Sequence, residues 1–285
     1  LLSILIVTIL LAQGCSMSKP ASLEEAGTPP QASMEAELPK EEPPGQYAIQ
    51  VSCDQAPKTE QPVLLKISLV NTNKEAPPVL KEKESSLVMV SKDGSDFQRF
   101  FPKQVAPGKL ECQATLVHGG LYNVCLQFTR ADDKNFAAVT SVQLGKNESK
   151  GSDDKDKDKD NDSKQGWKKD TDKPKTVDGY EFIVRDCPEN AGPTVSMPTF
   201  RITKEVRPVS NIEPMNNKPG YAVVVNENGD RFYRTIALGQ PAANKLFQQP
   251  VMFHVIVPDK GNYKIWAQFK IDGALHTVPF TFQVQ

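Results

Sequence analysis

The 285-residue chain holds only three histidines and two tryptophans, and aromatic residues of all kinds make up 7% of it. It also lacks a surplus of either charge: 34 Lys and Arg stand against 35 Asp and Glu, a formal net charge of −1. Each scarcity excludes something. Without a basic field the chain lacks the term that supplies most non-specific affinity for DNA or RNA, so no nucleic-acid partner is expected. No His or Cys pair has the close spacing of a zinc site. His254 and His276 are 22 residues apart with no Cys between them, unlike the crowded late loop of a blue-copper centre. There is no G-x-S-x-G elbow, no P-loop and no G-x-G-x-x-G. The expectation is therefore a protein without catalytic residues, cofactor or metal site, in short not an enzyme. Aromatics such as Trp266, Tyr233 and Phe101 could form a glycan or peptide platform, but core or edge packing is the expected role. His254 is expected at a surface or strand edge.

A run of some 20 apolar residues, the length needed to cross a bilayer, is also lacking. A shorter run opens the chain: LLSILIVTILLA (1–12), then Gln13, Gly14 and Cys15, after which the composition turns polar. This is the pattern of an export signal and its cleavage zone. Leu11-Ala12-Gln13-Gly14-Cys15 resembles the lipobox of bacterial lipoproteins, in which the bond before the Cys is cut and the Cys is lipidated. That resemblance implies an export signal over 1–14, lipidation at Cys15, and attachment to a cell-envelope membrane through acyl chains worth about 0.8 kcal/mol per buried CH₂. The competing reading is a truncated transmembrane anchor with an incidental Cys. Ser16 in place of Asp favours, by the same resemblance, the outer membrane of a Gram-negative source. Residues 15–45 are rich in Pro and Glu, with Pro29-Pro30 and Pro43-Pro44, and read as a disordered stalk.

Beyond the stalk, apolar residues recur with period two in short runs between turn residues, and no stretch sustains helical spacing. Expected strands are 47–52, 63–70, 86–91, 110–117 and 121–128, and then 180–185, 199–206, 221–226, 251–257, 263–269 and 276–284. Asn228-Gly229 and Asp272-Gly273 each lie between two such runs and signal hairpins. The two sets repeat one another. SLVMVSKDGSDFQRF (86–100) aligns without a gap on YAVVVNENGDRFYRT (221–235), and GGLYNVCLQF (119–128) on KGNYKIWAQF (260–269). Gly94 thus pairs with Gly229, Phe97 with Phe232, Arg99 with Arg234, Tyr122 with Tyr263 and Gln127 with Gln268. The fold class that follows is all-β, two tandem Ig-like or cupredoxin-like β-sandwiches at 46–145 and 178–285, with a disordered stalk and linker.

Residues 146–177 separate them. From 147 to 176 nine Lys nearly alternate with nine acidic residues, the composition of a solvated flexible linker. Asp154, Asp156 and Asp158 have the alternate spacing of a calcium loop, but Lys159 stands where its glycine is required and no Glu follows at the twelfth position. Asn147-Glu-Ser and Asn161-Asp-Ser are formal glycosylation sequons. Four cysteines follow Cys15. Cys112 and Cys125 flank a turn near His118-Gly119-Gly120, so a cross-strand disulfide and a pair of buried thiols are both open. Cys53 and Cys187 end equivalent first strands and are expected as thiols rather than as a bridge.

The framework repeated in both copies, most fully in PDKGNYKIWAQFKIDGALHTVPFTFQV (258–284) with its Gly-x-Tyr strand ending Gln268-Phe269, resembles secreted bacterial β-sandwich modules related to YtkA-like domains. Copies of those modules often accompany copper or heavy-metal handling. The resemblance implies the sandwich fold. It does not carry the family's histidines over, because Ser86, Arg99 and Phe101 in the first copy, and Tyr221, Arg234 and Ile236 in the second, occupy their places. The function expected is a lipid-anchored, non-enzymatic envelope protein, periplasmic or surface-exposed. Its two modules on a flexible connector would gain avidity for an envelope protein or glycan. The alternatives are a metal-handling accessory using Cys, Met17, Met34 or the linker carboxylates, and a hydrolase.

Overall fold

The computed structural model describes residues 45–53, 61–81, 85–117, 119–145, 167–239, 246–247 and 249–285. The expected export signal, Cys15, the stalk up to residue 44, Met17, Met34, His118 and the linker residues 146–166 lie outside the described residues. Among those described there are strands and turns and no helix, and every strand pairing is antiparallel.

The first copy supplies β1 (Tyr47–Cys53), β2 (Pro62–Asn71), β3 (Ser86–Ser91), β4 (Phe97–Phe100), β5 (Lys103–Ala106), β6 (Lys109–Thr115), β7 (Gly120–Thr129) and β8 (Asn135–Leu144). One sheet runs β1-β2-β6-β5 and the other β4-β3-β7-β8. With A to G labelling this is ABED against C′CFG, the strand order of an immunoglobulin sandwich. β2 shows why the sequence closes this way. Val63, Leu65, Ile67 and Leu69 alternate with more exposed residues, so one face of the strand is apolar and must be covered. It is covered by Leu87, Met89, Val124, Leu126 and Phe128 of the other sheet.

In the second copy the same eight strands recur in the same order. They are β10 (Tyr180–Arg185), β11 (Thr199–Lys204), β14 (Tyr221–Asn226), β15 (Phe232–Arg234), β16 (Ile236–Leu238), β17 (Val251–His254), β18 (Gly261–Ile271) and β19 (Ala274–Val284). β10, β11, β17 and β16 form one sheet, and β15, β14, β18 and β19 the other. Short additions trim it: β12 (Arg207–Pro208) beside β11, and β13 (Ile212–Glu213) beside the end of β18. A third, β9 (Lys175–Val177), pairs with β10 through an Asp178-Gly179 turn, both residues at positive φ. The second sandwich therefore begins earlier than 178, and residues 175–177 of the expected linker belong to it. Asp272-Gly273 is a two-residue turn with φ of 51° and 78°, joining Ile271 to Ala274 as a type I′ hairpin requires. Asn228-Gly229 sits in a longer connection, where only Gly229 takes a positive φ.

Each sandwich is pinned at its seventh strand. The Tyr263 hydroxyl donates to the Asp259 carbonyl at 2.8 Å, a tyrosine corner four residues upstream. Its repeat mate Tyr122 donates instead to the Asp96 carboxylate at 2.8 Å. The Gly-x-Tyr signature is this corner in the second sandwich, whereas in the first its tyrosine reaches a side chain instead.

One turn is strained. Glu205 and Val206, between β11 and β12, both have positive φ, and Val206 is 93% exposed at φ 66°. A β-branched residue in that region costs about 1–2 kcal/mol, and here no contact repays it. Val206→Gly is expected to raise the unfolding free energy by about 1 kcal/mol, seen as a higher urea midpoint at unchanged m-value. A lower midpoint would mean that the valine contributes packing after all.

Candidate functional site

β3 and β14 are buried on both faces, which alternating strands are not. On β3, Leu87 and Met89 point into the first core while Val88 and Val90 point out of it. On β14, Ala222 and Val224 point into the second core while Val223 and Val225 point out. The outward sets meet. Val88, Val90, Phe97 and Cys125 of the first sandwich pack with Val223, Val225, Phe232 and Trp266 of the second in a third apolar cluster. Both sandwiches fall within one compact unit, residues 38–285. The expectation of modules joined only by a flexible connector is thus corrected, because four buried valines alone gain on the order of 10 kcal/mol gross that separation would forfeit.

This seam has approximate two-fold symmetry, since the residues on its two sides are repeat mates. Gly94 lies against Lys264 of the other sandwich, and its mate Gly229 against Asn123, the mate of Lys264. Lys264 Nζ donates to the Gly94 carbonyl at 2.7 Å, and Lys92 Nζ donates to the Asn228 carbonyl at 3.0 Å. A Cβ on Gly229 would overlap the Asn123 side chain, so close approach of the two hairpin tips needs glycine there. Phe97 stacks on Trp266 with centroids 5.1 Å apart. Trp167, the one aromatic of the charged segment, covers the margin: its backbone N–H donates to Glu227 Oε1 at 2.5 Å, and Lys264 Nζ stands 4.3 Å above its ring.

Toward the other margin the seam turns polar. Arg99 lies over the Tyr221 ring at 3.5 Å and the Phe101 ring at 4.6 Å. The Tyr221 hydroxyl donates to Gln127 Oε1 at 3.1 Å, and Arg234 Nη1 donates to Asn135 Oδ1 at 2.9 Å, both bonds crossing between sandwiches. Burial pushes the Tyr221 phenol up to about 12, against the opposing pull of Arg99. Burial also lowers the Arg99 pKa, in part countered by Tyr221, with Arg234 lowering it further.

The cysteines are not paired as the hairpin reading allowed. Cys112 is on β6 and faces the first core, whereas Cys125 is on β7, in the opposite sheet, and faces away into the seam. The connection between β6 and β7 passes from one sheet to the other and separates the two arms, so Cys112 and Cys125 do not face each other, and no disulfide involves Cys53, Cys112, Cys125 or Cys187. Burial pushes the Cys112 thiol up to about 11 and the Cys187 thiol up to about 12. Thiols so placed stay protonated at neutral pH and are poor nucleophiles. Of the three suggested platform aromatics, Trp266 is 5% exposed within the seam, Tyr233 packs edge-on against Tyr263, and Phe101 alone is 54% exposed. His254 is half-buried on β17, its Nδ1 without a partner, and the buried His276 places Nδ1 2.9 Å from Asp178 Oδ2. Among the described residues no three His, Cys, Asp or Glu side chains gather as a metal site would need.

Two tests follow from this geometry. Val223→Asp, or Val88→Asp at its mate, should split a single cooperative unfolding transition into two and raise the radius of gyration, with the β-sheet circular dichroism kept. One unsplit transition would show that the seam does not couple the sandwiches. Stability should also hold up to about pH 8.5, the thiol value of an unfolded chain. Above it, unfolding releases protons that burial retains at Cys112, Cys187 and Tyr221, so stability should fall as pH rises toward 11–12. Equilibrium unfolding between pH 7 and 11 measures this, and a flat profile would contradict the burial of these groups.

A family model described as a domain of unknown function (DUF8832) matches residues 175–285, the second sandwich together with β9. No curated protein matches the chain. Among solved structures, the tetra-tandem repeat in the extending region of a large adhesion protein aligns with 84% of this chain at 10% identity, TM-score 0.27. The aligned part is 49% of that chain, so this protein spans about half its length. A bacterial ice-binding adhesin aligns over 84% of this chain and 63% of its own at 9% identity, TM-score 0.25. Escherichia coli alpha-2-macroglobulin aligns over 84% of this chain but 17% of its own at 14% identity, again with a TM-score of 0.25. Likenesses this weak carry no argument about function.

Proposed function

We propose that the chain is a lipid-anchored, non-enzymatic protein of the bacterial cell envelope, in which two Ig-like sandwiches act as one rigid binding body. The observation that carries this reading is the seam. Chain that merely tethers or spaces has no need to bury a third core between its modules, whereas a composite binding surface needs fixed geometry between its halves. The buried, protonated thiols of Cys112 and Cys187 speak in the same direction, since these two offer little nucleophilic reactivity. Anchoring rests on the apolar opening run and the resemblance of residues 11–15 to a lipobox. Avidity between independently moving modules, which a flexible connector would have allowed, is replaced here by preorganisation.

The test joins both halves of the proposal. Expressed in a bacterium, the full chain should incorporate a fatty-acid label and sediment with membranes, and Cys15→Ala should lose both. Crosslinking in intact envelopes should capture a partner with the wild-type chain, and Val223→Asp, which opens the seam while leaving Cys15 in place, should capture it at least tenfold less. Label persisting in Cys15→Ala would overturn the anchor. Equal capture by Val223→Asp would overturn the rigid composite surface.

A further inference from the structure

The seam contains charges that nothing described in the protein neutralises. Arg99 and Arg234 are repeat mates, both half-buried at its polar margin, where Arg99 lies over Tyr221 and both Tyr221 and Arg234 bond across the seam to the first sandwich. Among the described residues neither forms an ion pair. Arg234 spends one N–H on the neutral Asn135 amide. Arg99 is clamped between the rings of Tyr221 and Phe101, and its buried Nε has no hydrogen-bond partner. Gln127, 6% exposed, accepts at Oε1 from Tyr221 and, more weakly, from Ser86 at 3.5 Å, which fixes its amide and leaves the buried Nε2 open as a donor. Stacking on an aromatic ring gives back less than burial of an unpaired cation costs. Two guanidinium cations without an ion-pair partner, together with the unpartnered N–H groups of Arg99 and Gln127, form the donor set of an anion receptor.

We propose that Arg99 and Arg234, with Gln127 as a neutral donor and Tyr221 as the stacking and orienting group, form an oxyanion-binding site at the margin of the seam. Its ligand is a phosphate or carboxylate group. Because the donors come from both sandwiches, the anion also clamps the seam. Phe101, exposed beside Arg99, gives an attached apolar portion of the ligand a place to rest. The site would exist whether or not Cys15 carries lipid.

Thermal unfolding of the full chain in mild detergent tests this, with chloride replaced at constant ionic strength by inorganic phosphate in one arm and by acetate in the other. Binding to the folded state should raise Tm by about 3 °C or more at millimolar anion. A rise confined to phosphate identifies a phosphate site, and one confined to acetate a carboxylate site. Arg99→Gln/Arg234→Gln should abolish the rise, whereas Arg201→Gln, on the exposed face of β11, should keep it. Should the double variant fail to fold, Arg99→Lys keeps the charge but loses the planar fork, and calorimetric affinity for the responding anion should fall at least tenfold. No rise in either arm, or an equal rise in the double variant as expected from general exclusion of salt from the surface, overturns the proposal.

Discussion

A β-sheet with apolar side chains on both faces must be covered twice, and that constraint governs this protein. The sheets containing β3 and β14 each turn one apolar face inward, where it closes an ordinary sandwich. The opposite faces carry Val88, Val90, Val223 and Val225, each at most 2% exposed. Left apart, the modules would expose a contiguous apolar strip of the kind soluble domains avoid. Joined, they bury it between them, and the pair becomes the unit on which any surface or loop arrangement is built.

Two-fold symmetry explains why duplication suffices to make this contact. A face that meets its own copy is self-complementary, so one module able to dimerise becomes, when doubled in one chain, a closed pair with no face left over for a third. Covalent linkage makes the encounter intramolecular. The copies have since diverged where they touch. Cys125 corresponds to Trp266, Ser86 to Tyr221 and Asn123 to Lys264, so that a small side chain on one side answers a large one on the other. Trp266 stacks on Phe97, while the matching place opposite Phe232 holds only the Cys125 thiol. Such paired differences bind each half to its own partner better than to a copy of itself.

Much of the fold was legible from residue pattern. The period-two runs located β1, β3, β10 and β14 to within a residue, and the gapless repeat foretold one strand order used twice. Short or ambiguous strands such as β4, β5 and β16 escaped because three or four residues give too little periodicity to detect. β8 escaped although it is ten residues long, since NFAAVTSVQL mixes small and polar residues at inward positions. The Asp178-Gly179 turn was present as a hairpin signal, but the lysines and acids before it drew residues 175–177 into the linker. The seam left a mark that alternation alone conceals: LVMV in β3 and AVVV in β14 are continuous apolar runs, the signature of strands covered on both sides. The pairing of Cys112 with Cys125 stays open in the sequence because their symmetric spacing about a turn suits a hairpin within one sheet, whereas this connection passes from one sheet to the other and leaves two buried thiols.

Polar groups in the seam play a different part from the valines. Apolar surface alone would let the two faces slide, because burial depends on area more than on direction. The crossing bonds from Tyr221 to Gln127, from Arg234 to Asn135, from Lys264 to the Gly94 carbonyl and from Lys92 to the Asn228 carbonyl are directional, and any slip of one residue breaks them together. They add little net stability each, but an unmatched register would leave the buried Gln127 without its Tyr221 donor, which is costly. Greasy contact therefore supplies the attraction and the polar margin supplies the alignment. Trp167 extends this to the charged segment: by covering the Gly94 turn and Lys264 at once, it ties the start of the second sandwich to a hairpin tip of the first. Relative orientation of the modules is thereby fixed from the seam's interior to its edge, which is the condition for loops on different sandwiches to engage one ligand without first paying to be arranged.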